Sequence, residues 1–536
     1  MIMRRIALLA LCLALIAPLF VTSVPPLLDY PNHLARMAVL AARGHDADLA
    51  QMYAIDWHIV PNLGMDILVP LLAQIMPLTI AAKVFLGLAL ILPLLGTVAL
   101  HDAIFEKRSW WPLASALAVY NATLLAGFLN FTVGVGLALL GTAAWIRLRS
   151  RPQLQIAAGA VIATAIFFMH AFGIGFLVLL IAGFELREFW RERNRAALVW
   201  RGMKLSLTLL PAVILYFQTR LASDAAATSP LELIKILWWA LAKFDPLHKA
   251  IGAGADFFTY DTGSDLLILI AVAAAIAALC LARKLAFAWP ATIALALMLA
   301  YPFVPGVVAG TAWIDTRLPV LAGFLLFAGI TPRRLGRRET AVLGLAFAAL
   351  IVARLGVITL AWQGQNADLA DLNAVLTPVK AQDRVLVLTA PPTAAGPASE
   401  PVRWRFFVDQ PSFWHIAAPA LIQHKAFYPQ LFAEAAKQPL RVLPPYDKLA
   451  DDRIGPPQTS LLWDSAQWPA TRLKLPYLAN WRQDFDYVLV LGAMRLDDRR
   501  DFHSDDLDYV MGTKMAALYR VRAREHSPEP VTAQLN

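Results

Sequence analysis

Long apolar runs fill most of the chain and limit what it can fold into. Runs of about 17–25 residues recur from the N-terminus to about Trp362, and each is long enough to cross a bilayer as an α-helix. Only 16% of the 536 residues are charged, whereas a soluble domain has about a quarter. After Trp362 no further run of this length occurs. The sequence therefore predicts a polytopic α-helical membrane region over 1–361, followed by a soluble domain.

Most of the Lys and Arg residues of the membrane region lie in short loops between these runs, which is typical of cytoplasmic loops. Arg4 and Arg5 precede the first run and predict a cytoplasmic N-terminus. The net charge of +9 is explained by these loops, so nucleic acid is not an expected partner. About eleven spans keep all of these positively charged loops on the cytoplasmic side. They are 6–23, 80–103, 111–128, 131–147, 155–170, 172–187, 203–219, 265–283, 286–303, 318–332 and 341–361.

Two segments leave alternatives open. The first run also fits a signal peptide, but it is long for one and no Ala-x-Ala site follows it, so a retained span is favoured. The segment 61–77 is apolar as well, and counting it as a span would put Lys107 and Arg108 outside. We therefore predict a partly inserted juxtamembrane helix there, within a first external loop over 24–79.

The remainder of the chain has the mixed pattern of a small α/β domain. An odd number of spans puts this domain, 362–524, on the outer side, which is the periplasm if the cell is Gram-negative. The predicted location is therefore the bacterial inner membrane, with the lipid bilayer as a partner. The last residues, 525–536, are predicted to be disordered. Predicted elements are buried strands over 384–388 and 487–491, and helices over 369–379 and over 413–436 with a break near Pro419.

The run 29–36, with the sequence Asp-Tyr-Pro-Asn-His-Leu-Ala-Arg, crowds polar groups where the first span leaves the bilayer. Such groups are costly near hydrocarbon, so their presence indicates a functional site. Pro31 suits the first turn of a helix that continues to about Ala42. The spacing of its apolar residues predicts an amphipathic helix lying along the membrane surface.

The three ionisable side chains of this run suggest a particular chemistry. Asp29 or His33 suits deprotonation of an acceptor hydroxyl or amine, while Arg36 suits binding of a phosphate. A purely structural interpretation is also open. In that case Asp29 caps the helix and Arg36 reaches into the lipid headgroups.

Further polar residues are predicted on the outer face. Asn130 and His170 lie at two tight turns between spans, and Asp315 and Arg317 open the tenth span. The planar fork of Arg317 suits a lipid phosphate, and the other three are candidates for substrate binding. Each of the four also fits a structural role at a helix end.

This arrangement resembles the GT-C superfamily of integral-membrane glycosyltransferases, which includes protein O-mannosyltransferases and lipid A aminoarabinose transferases. The likeness covers 1–361. It is carried mainly by Asp29 with its following helix, and by the tract 127–149, which is similar to the family's second external motif and fourth span. The resemblance implies a membrane glycosyltransferase that moves a sugar from a polyprenyl-phosphate-linked donor to an envelope acceptor, either a lipid, a polysaccharide or a protein. It also implies a catalytic role for Asp29.

The second external turn of that family often carries an Asp, where this chain has Asn130. Because Asn is neither a base nor a strong metal ligand, a site without metal or cofactor is expected. Arg36 and Arg317 are the expected ligands of the donor phosphate, and His33 is the second catalytic candidate.

Two functions from other classes remain as alternatives. A transporter or flippase usually has charged or polar groups at mid-membrane, whereas the spans here are nearly free of charge. A non-catalytic scaffold of envelope polysaccharide assembly is the other alternative, because Asn130 replaces an acid. A polysaccharide polymerase or ligase is a related enzymatic possibility, although such enzymes rely on a large late external loop.

Overall fold

The computed structural model describes residues 2–222, 245–308, 311–392, 399–407, 409–434, 437–451, 455–462, 475–496 and 505–522. The tail predicted to be disordered, 525–536, lies outside these residues. The α-helices of the described part are α1 (Ile2–Ile16), α2 (Tyr30–Ala42), α3 (Ala47–Met52), α4 (Gly64–Leu72), α5 (Leu78–Phe105), α6 (Ala122–Leu125), α7 (Leu129–Arg147), α8 (Pro152–Met169), α9 (Ala171–Glu192), α10 (Arg195–Ala222), α11 (Pro246–Gly252), α12 (Thr262–Leu281), α13 (Trp289–Ala300), α14 (Arg317–Gly329), α15 (Arg337–Leu376), α16 (Ala417–Gln423) and α17 (Trp481–Asp484).

The strands of the described part are short and lie mainly in the C-terminal region. They are β1 (Tyr53–Ile55), β2 (Leu285–Phe287), β3 (Val307–Val308), β4 (Thr311–Ala312), β5 (Ile330–Pro332), β6 (Val385–Thr389), β7 (Arg405–Phe406), β8 (Gln410–Pro411), β9 (Leu440–Val442), β10 (Tyr487–Leu491), β11 (Leu507–Gly512) and β12 (Ala516–Val521).

Seven helices of the described part are long and apolar enough to cross a membrane, which supports the predicted class of membrane protein. They are α1 with the turn that follows it, α5, α7, α8, α10, α12 and α15. Two predicted spans fall in the shorter apolar helices α13 and α14, of 12 and 13 residues. Another falls in α9, whose last turns are charged. The prediction of eleven spans is therefore confirmed only in part.

The predicted span 111–128 is wrong as a helix. Residues Trp111–Ala118 form a 3-10 helix, and α6 has only four residues. The flanking helices α5 and α7 run parallel, because Leu92 lies against Gly136 and Leu139 against Gly96. The chain between them must therefore return across the helix layer. Irregular backbone is tolerated at that depth when it is buried in protein, and this segment is buried almost throughout.

The helix α15 continues past the predicted domain border at 361. Its 40 residues form one helix through Leu376, about 60 Å at 1.5 Å per residue. That is about twice the thickness of the hydrocarbon core. The separately predicted helix over 369–379 is therefore the last part of α15, which continues from the span layer into the C-terminal region.

The two strands predicted from apolar sequence are confirmed. The strands β6 and β10 pair in parallel, with Val387 opposite Leu489, at one side of a sheet ordered β11–β12–β10–β6. The helices predicted over 413–436 are largely wrong, because only α16 is an α-helix in the described part of that stretch. Pro419 lies in the first turn of α16, where its missing N–H needs no partner, so it does not break the helix.

The first loop packs directly on the C-terminal region. The strand β1 pairs antiparallel with β9, with Ala54 opposite Arg441, and α2 packs against α16. This pairing puts both regions on the same side of the bilayer. The helix α2 is buried along most of its length, so the prediction of an amphipathic helix on the membrane surface is wrong. The other helix predicted in this loop, α4, has nine residues and is too short to span a bilayer.

One buried ion pair lies within the helix layer, where the sequence indicated spans nearly free of charge. Arg354 of α15 donates to Asp265 of α12 at 3.0 Å and to the carbonyl of Phe257 at 2.8 Å. The two side chains are 2% and 1% exposed. Because Nη1 and Nη2 of its guanidinium are bound by protein groups, Arg354 ties two helices together.

The orientation in the membrane gives a testable expectation. A reporter active only in the periplasm, fused after Thr377 where α15 ends, should be active. The same reporter fused near Arg334 or near Arg149 should be silent, because both positions lie in positively charged loops. The opposite pattern would reverse the orientation, while the pairing of β1 with β9 would still keep the first loop and the C-terminal region on one side.

Candidate functional site

Asp29 stands at the beginning of α2 without acting as its cap. The helix begins at Tyr30 with Pro31 in its first turn, as predicted, but the Asp29 side chain makes no capping hydrogen bond. Its backbone is held instead, because Asp29 N donates to Ala126 O at 3.2 Å. The carboxylate is therefore not needed by the helix and is available for chemistry.

The turn between α6 and α7 lies directly against Asp29. Gly127 has a φ of +89°, and a Cβ on it would lie 2.8 Å from the Asp29 Cβ. Only glycine adopts this backbone conformation readily and allows so close an approach. The position of the Asp29 carboxylate is thus fixed by the turn 126–131.

His415 of the C-terminal region faces Asp29 across a short gap. Its Nε2 lies 3.9 Å from Asp29 Oδ1, and the two side chains are 5% and 19% exposed. Burial raises the pKa of Asp29 to about 7, against the opposing effect of the Arg36 charge. Burial also lowers the pKa of His415 to about 3. A neutral imidazole therefore faces a carboxyl group that gains and loses its proton near neutral pH.

His33, the second predicted catalytic residue, lies one turn after Asp29 on α2. Its ring packs against Phe432 of the C-terminal region, with 5.4 Å between ring centroids. Burial and the nearby Arg36 lower its pKa well below the usual range. At neutral pH His33 is uncharged and contributes a polar, aromatic wall to the site.

Arg36 does not present its fork to a ligand, as the sequence had suggested. Its Nε and Nη2 donate to the two carboxylate oxygens of Asp66 on α4, at 2.7 and 3.1 Å. Both side chains are 1% exposed. The ion pair fixes α4 to α2, and only Nη1 of Arg36 has no protein partner.

Asn130 lies in the scaffold of the site. Its side chain accepts from Met65 N at 3.0 Å and donates to Asn62 O at 2.7 Å. The amide is thereby used to hold the chain before α4 against the first turn of α7. These contacts favour the structural role for Asn130 over the predicted substrate contact.

Arg317 is a buried cation whose guanidinium contacts His170 and the Ala312 carbonyl, with no carboxylate partner among the described residues. It opens α14 and is 3% exposed, and its Nε has no hydrogen-bond partner. Its guanidinium lies 5.0–5.2 Å from the ring centroids of Phe128, Phe131 and Phe172. Two of these rings belong to the turn 126–131, so the same turn touches both Asp29 and Arg317.

His170 is next to Arg317 at the start of α9. Its Nδ1 accepts from Phe172 N at 3.1 Å, which caps the helix. In the neutral ring the proton is then on Nε2, and Nε2 lies 3.3 Å from Arg317 Nη1. Two donors therefore point toward one another, and an oxygen anion beside them can accept from both.

Asp315 is paired away from Arg317. Its Oδ2 accepts from Lys249 Nζ at 2.6 Å, and its Oδ1 accepts from Thr316 N at 2.9 Å. Asp315 thus fixes α11 to the start of α14. Asp315 and Arg317 are therefore not paired with each other. Asp315 has a structural role, and the guanidinium of Arg317 has no carboxylate partner among the described residues.

Sequence reasoning missed several residues of this site because they are distant in the chain. Asp66 neutralises Arg36, and His415 comes from the C-terminal region, where its Nδ1 lies 2.9 Å from Tyr428 Oη. Asn32 was within the polar run but had no assigned role. A polar residue between apolar neighbours was the signal at Asp66 and His415, although nothing in the sequence links either residue to α2.

Comparison with protein-family models found no match, and comparison with curated proteins found none either.

Proposed function

We propose that the protein is a membrane glycosyltransferase of the GT-C type, which moves a sugar from a polyprenyl-phosphate donor to an envelope acceptor. The main support is the pair of groups around the turn 126–131. One is a carboxylate with no structural task, Asp29, and the other is a buried guanidinium with no carboxylate partner in the described residues, Arg317.

The donor phosphate binds at Arg317 and His170. When the bond between the sugar C1 and the phosphate oxygen breaks, the bonding pair stays on that oxygen and the phosphate gains one negative charge. Fixed donors in a site that excludes water stabilise such a charge strongly. Arg317 supplies the opposite charge, and the Nε2–H of His170 supplies a second hydrogen bond.

The acceptor binds at Asp29. A base works best when its pKa lies near the operating pH, and burial raises that of Asp29 to about 7. The ionised carboxylate takes the proton of the acceptor as the new bond to C1 forms. Arg36, held by Asp66, favours the ionised form of Asp29 from within α2.

The location of the site also supports transfer over transport. The residues that it unites lie at helix beginnings and in the first loop, at one end of the helix layer. One buried ion pair of the layer, Arg354 with Asp265, joins two helices and also binds a backbone carbonyl. A flippase remains as an outcome that the following test would detect.

The test uses the full chain in nanodiscs with a panel of undecaprenyl-phosphate-linked sugars and an envelope extract as acceptor. The wild-type protein should release undecaprenyl phosphate from one member of the panel. Arg317→Met should reduce this release by about 10²–10³-fold, the usual effect of removing one group that stabilises a developing anion. The rate of release by Arg317→Lys should lie between those of the wild-type protein and Arg317→Met, because Lys keeps the positive charge but not the planar guanidinium.

Arg149→Met is the matched control, because Arg149 is exposed beyond the far end of α7. It should leave the rate unchanged. Wild-type rates in Arg317→Met would reject the phosphate site. Movement of the intact labelled lipid across a vesicle bilayer, without release of undecaprenyl phosphate, would favour the flippase.

A further inference from the structure

Asn32 sets the tautomer of His415. The amide of Asn32 is oriented by two backbone groups, because its Oδ1 accepts from Phe432 N at 2.9 Å and its Nδ2 donates to Gln430 O at 2.7 Å. The same Nδ2 lies 3.1 Å from His415 Nδ1. Since Nδ2 can only donate, Nδ1 of His415 is the acceptor.

Tyr428 strengthens this assignment. Its hydroxyl lies 2.9 Å from the same Nδ1, so the single lone pair of Nδ1 is shared between the two donors as a bifurcated hydrogen bond. With Nδ1 unprotonated, the proton of the neutral imidazole must be on Nε2. The Nε2–H of His415 thus faces the carboxylate of Asp29.

The spacing of these two groups allows one atom beside the line between them to contact both. The distance of 3.9 Å from Nε2 to Oδ1 is too long for a direct hydrogen bond. A single oxygen can lie about 2.8 Å from both atoms, with an angle of about 90° at that oxygen. That atom must accept a hydrogen bond from the Nε2–H of His415 and donate one to the carboxylate of Asp29.

We propose that Asp29 and His415 together select a hydroxyl acceptor, which extends the function proposed above and rests on it. The hydroxyl oxygen accepts a hydrogen bond from His415 Nε2 and gives its proton to Asp29. Its remaining lone pair attacks C1 of the sugar. The new C1–O bond forms as the bond from C1 to the phosphate oxygen breaks, and the electron pair leaves with the phosphate.

Other acceptor groups do not fit this pair of partners. A neutral amine has one lone pair, so a nitrogen that accepts from His415 has none left for C1. An ammonium group has no lone pair to accept with. A phosphate acceptor has no need of a base and would be repelled by the ionised Asp29. The hydroxyl is the group that can satisfy both partners and still react.

The protonation states of the pair agree with this assignment. The titratable and charged groups around Asp29 are His33 and Arg36 of α2, and His415 and Tyr428 of the C-terminal region. Burial keeps His415 neutral at neutral pH and makes Tyr428 a weaker acid than usual, so its pKa is raised. Asp29, with a pKa raised to about 7, is the member that titrates.

The chemical test identifies the new linkage. Envelope fractions from cells that make the wild-type protein or Asp29→Asn are compared by mass spectrometry, and the linkage of any glycoconjugate that requires Asp29 is determined. A sugar joined to oxygen supports the inference. A sugar joined to nitrogen or to phosphate overturns it but leaves the glycosyltransferase standing. If no glycoconjugate requires Asp29, the proposed function itself fails.

Variants of His415 test the same idea by kinetics. His415→Phe keeps the aromatic packing on Phe432 but loses the N–H, so KM for the acceptor should rise about 10-fold or more for the lost hydrogen bond, with KM for the donor unchanged. His415→Gln, whose amide can still donate, should recover part of the loss.

The pH profile separates this role from a structural one. In the wild-type protein the rate should fall as the pH drops below about 7, because Asp29 must be ionised. His415→Phe should move this midpoint to higher pH, because an N–H facing the carboxylate is lost. The matched control is His424→Phe, since His424 is bonded to Val379 O instead, and it should change neither value. Wild-type KM and midpoint in His415→Phe would overturn the inference.

Discussion

Asp29→Asn should reduce sugar transfer by about 10²–10⁴-fold, the usual contribution of a general base. The amide has nearly the same shape as the carboxylate, but it cannot take a proton from the acceptor. Since the Asp29 side chain does not cap α2, the helix should remain intact. The measurement is release of undecaprenyl phosphate by the variant in nanodiscs, compared with the wild-type protein at equal amounts.

The stability of the same variant should move in the opposite direction to its activity. An unfolded Asp titrates near pH 3.9, whereas burial raises the pKa of Asp29 to about 7 in the folded protein. The folded state therefore binds more protons between these values, and its free energy of unfolding falls as the pH rises through that window. At pH 8 the variant lacks this penalty, so its Tm should equal or exceed that of the wild-type protein.

Asp46→Asn is the control in the same loop. Asp46 accepts from Asp48 N and Leu49 N at the beginning of α3, a role that Asn performs as well. It should keep full activity. Full activity in Asp29→Asn would remove Asp29 from the chemistry.

The second large effect concerns stability. Arg36→Met should lower the free energy of unfolding by about 3–5 kcal/mol, because it leaves Asp66 as an unpaired charge inside the protein. The double variant Arg36→Met with Asp66→Leu should recover most of this loss, since an apolar pair of similar volume often replaces a buried ion pair without cost. Thermal unfolding in detergent measures both variants.

The activity of the double variant decides what Arg36 does. If Arg36 only fixes α4 to α2, a stable double variant should keep substantial sugar transfer. A stable double variant that stays inactive even at alkaline pH, where Asp29 is ionised without help from the Arg36 charge, would show that the unpartnered Nη1 of Arg36 contacts a substrate, as the sequence suggested. Equal stability of the single variant and the wild-type protein would contradict the buried ion pair.

The sequence predicted those parts of the fold that depend on local pattern. Long apolar runs predicted the spanning helices, Pro31 predicted the beginning of α2, and two apolar five-residue runs predicted β6 and β10. Each of these signals is contained within one element, so no knowledge of the packing was needed.

The failures share a different cause. The residues 111–128 are apolar enough for a helix, but protein on all sides of the segment removes the requirement for internal hydrogen bonds that lipid would impose. The sequence predicted α2 as a surface helix because α16, which packs on it, lies roughly 400 residues later in the chain.

The sequence predicted some residues of the site but not the contacts between them. The unusual polar residues near the membrane, Asp29 and Arg317, were visible in the sequence. The contacts that decide their roles were not, because Asp66 is what removes Arg36 from ligand binding and Lys249 is what removes Asp315. His415 could not be connected to Asp29 without the fold.

The pairing of β1 with β9 has a consequence for synthesis. The ribosome adds about 5–20 residues per second, and the partner strand follows β1 by about 390 residues, so the first loop waits about 20–80 s for it. During that time Asp29 has neither His415 beside it nor the cover that raises its pKa. The nascent chain can therefore enter the bilayer before Asp29 and His415 are brought together, and the pair forms only when the C-terminal region has emerged.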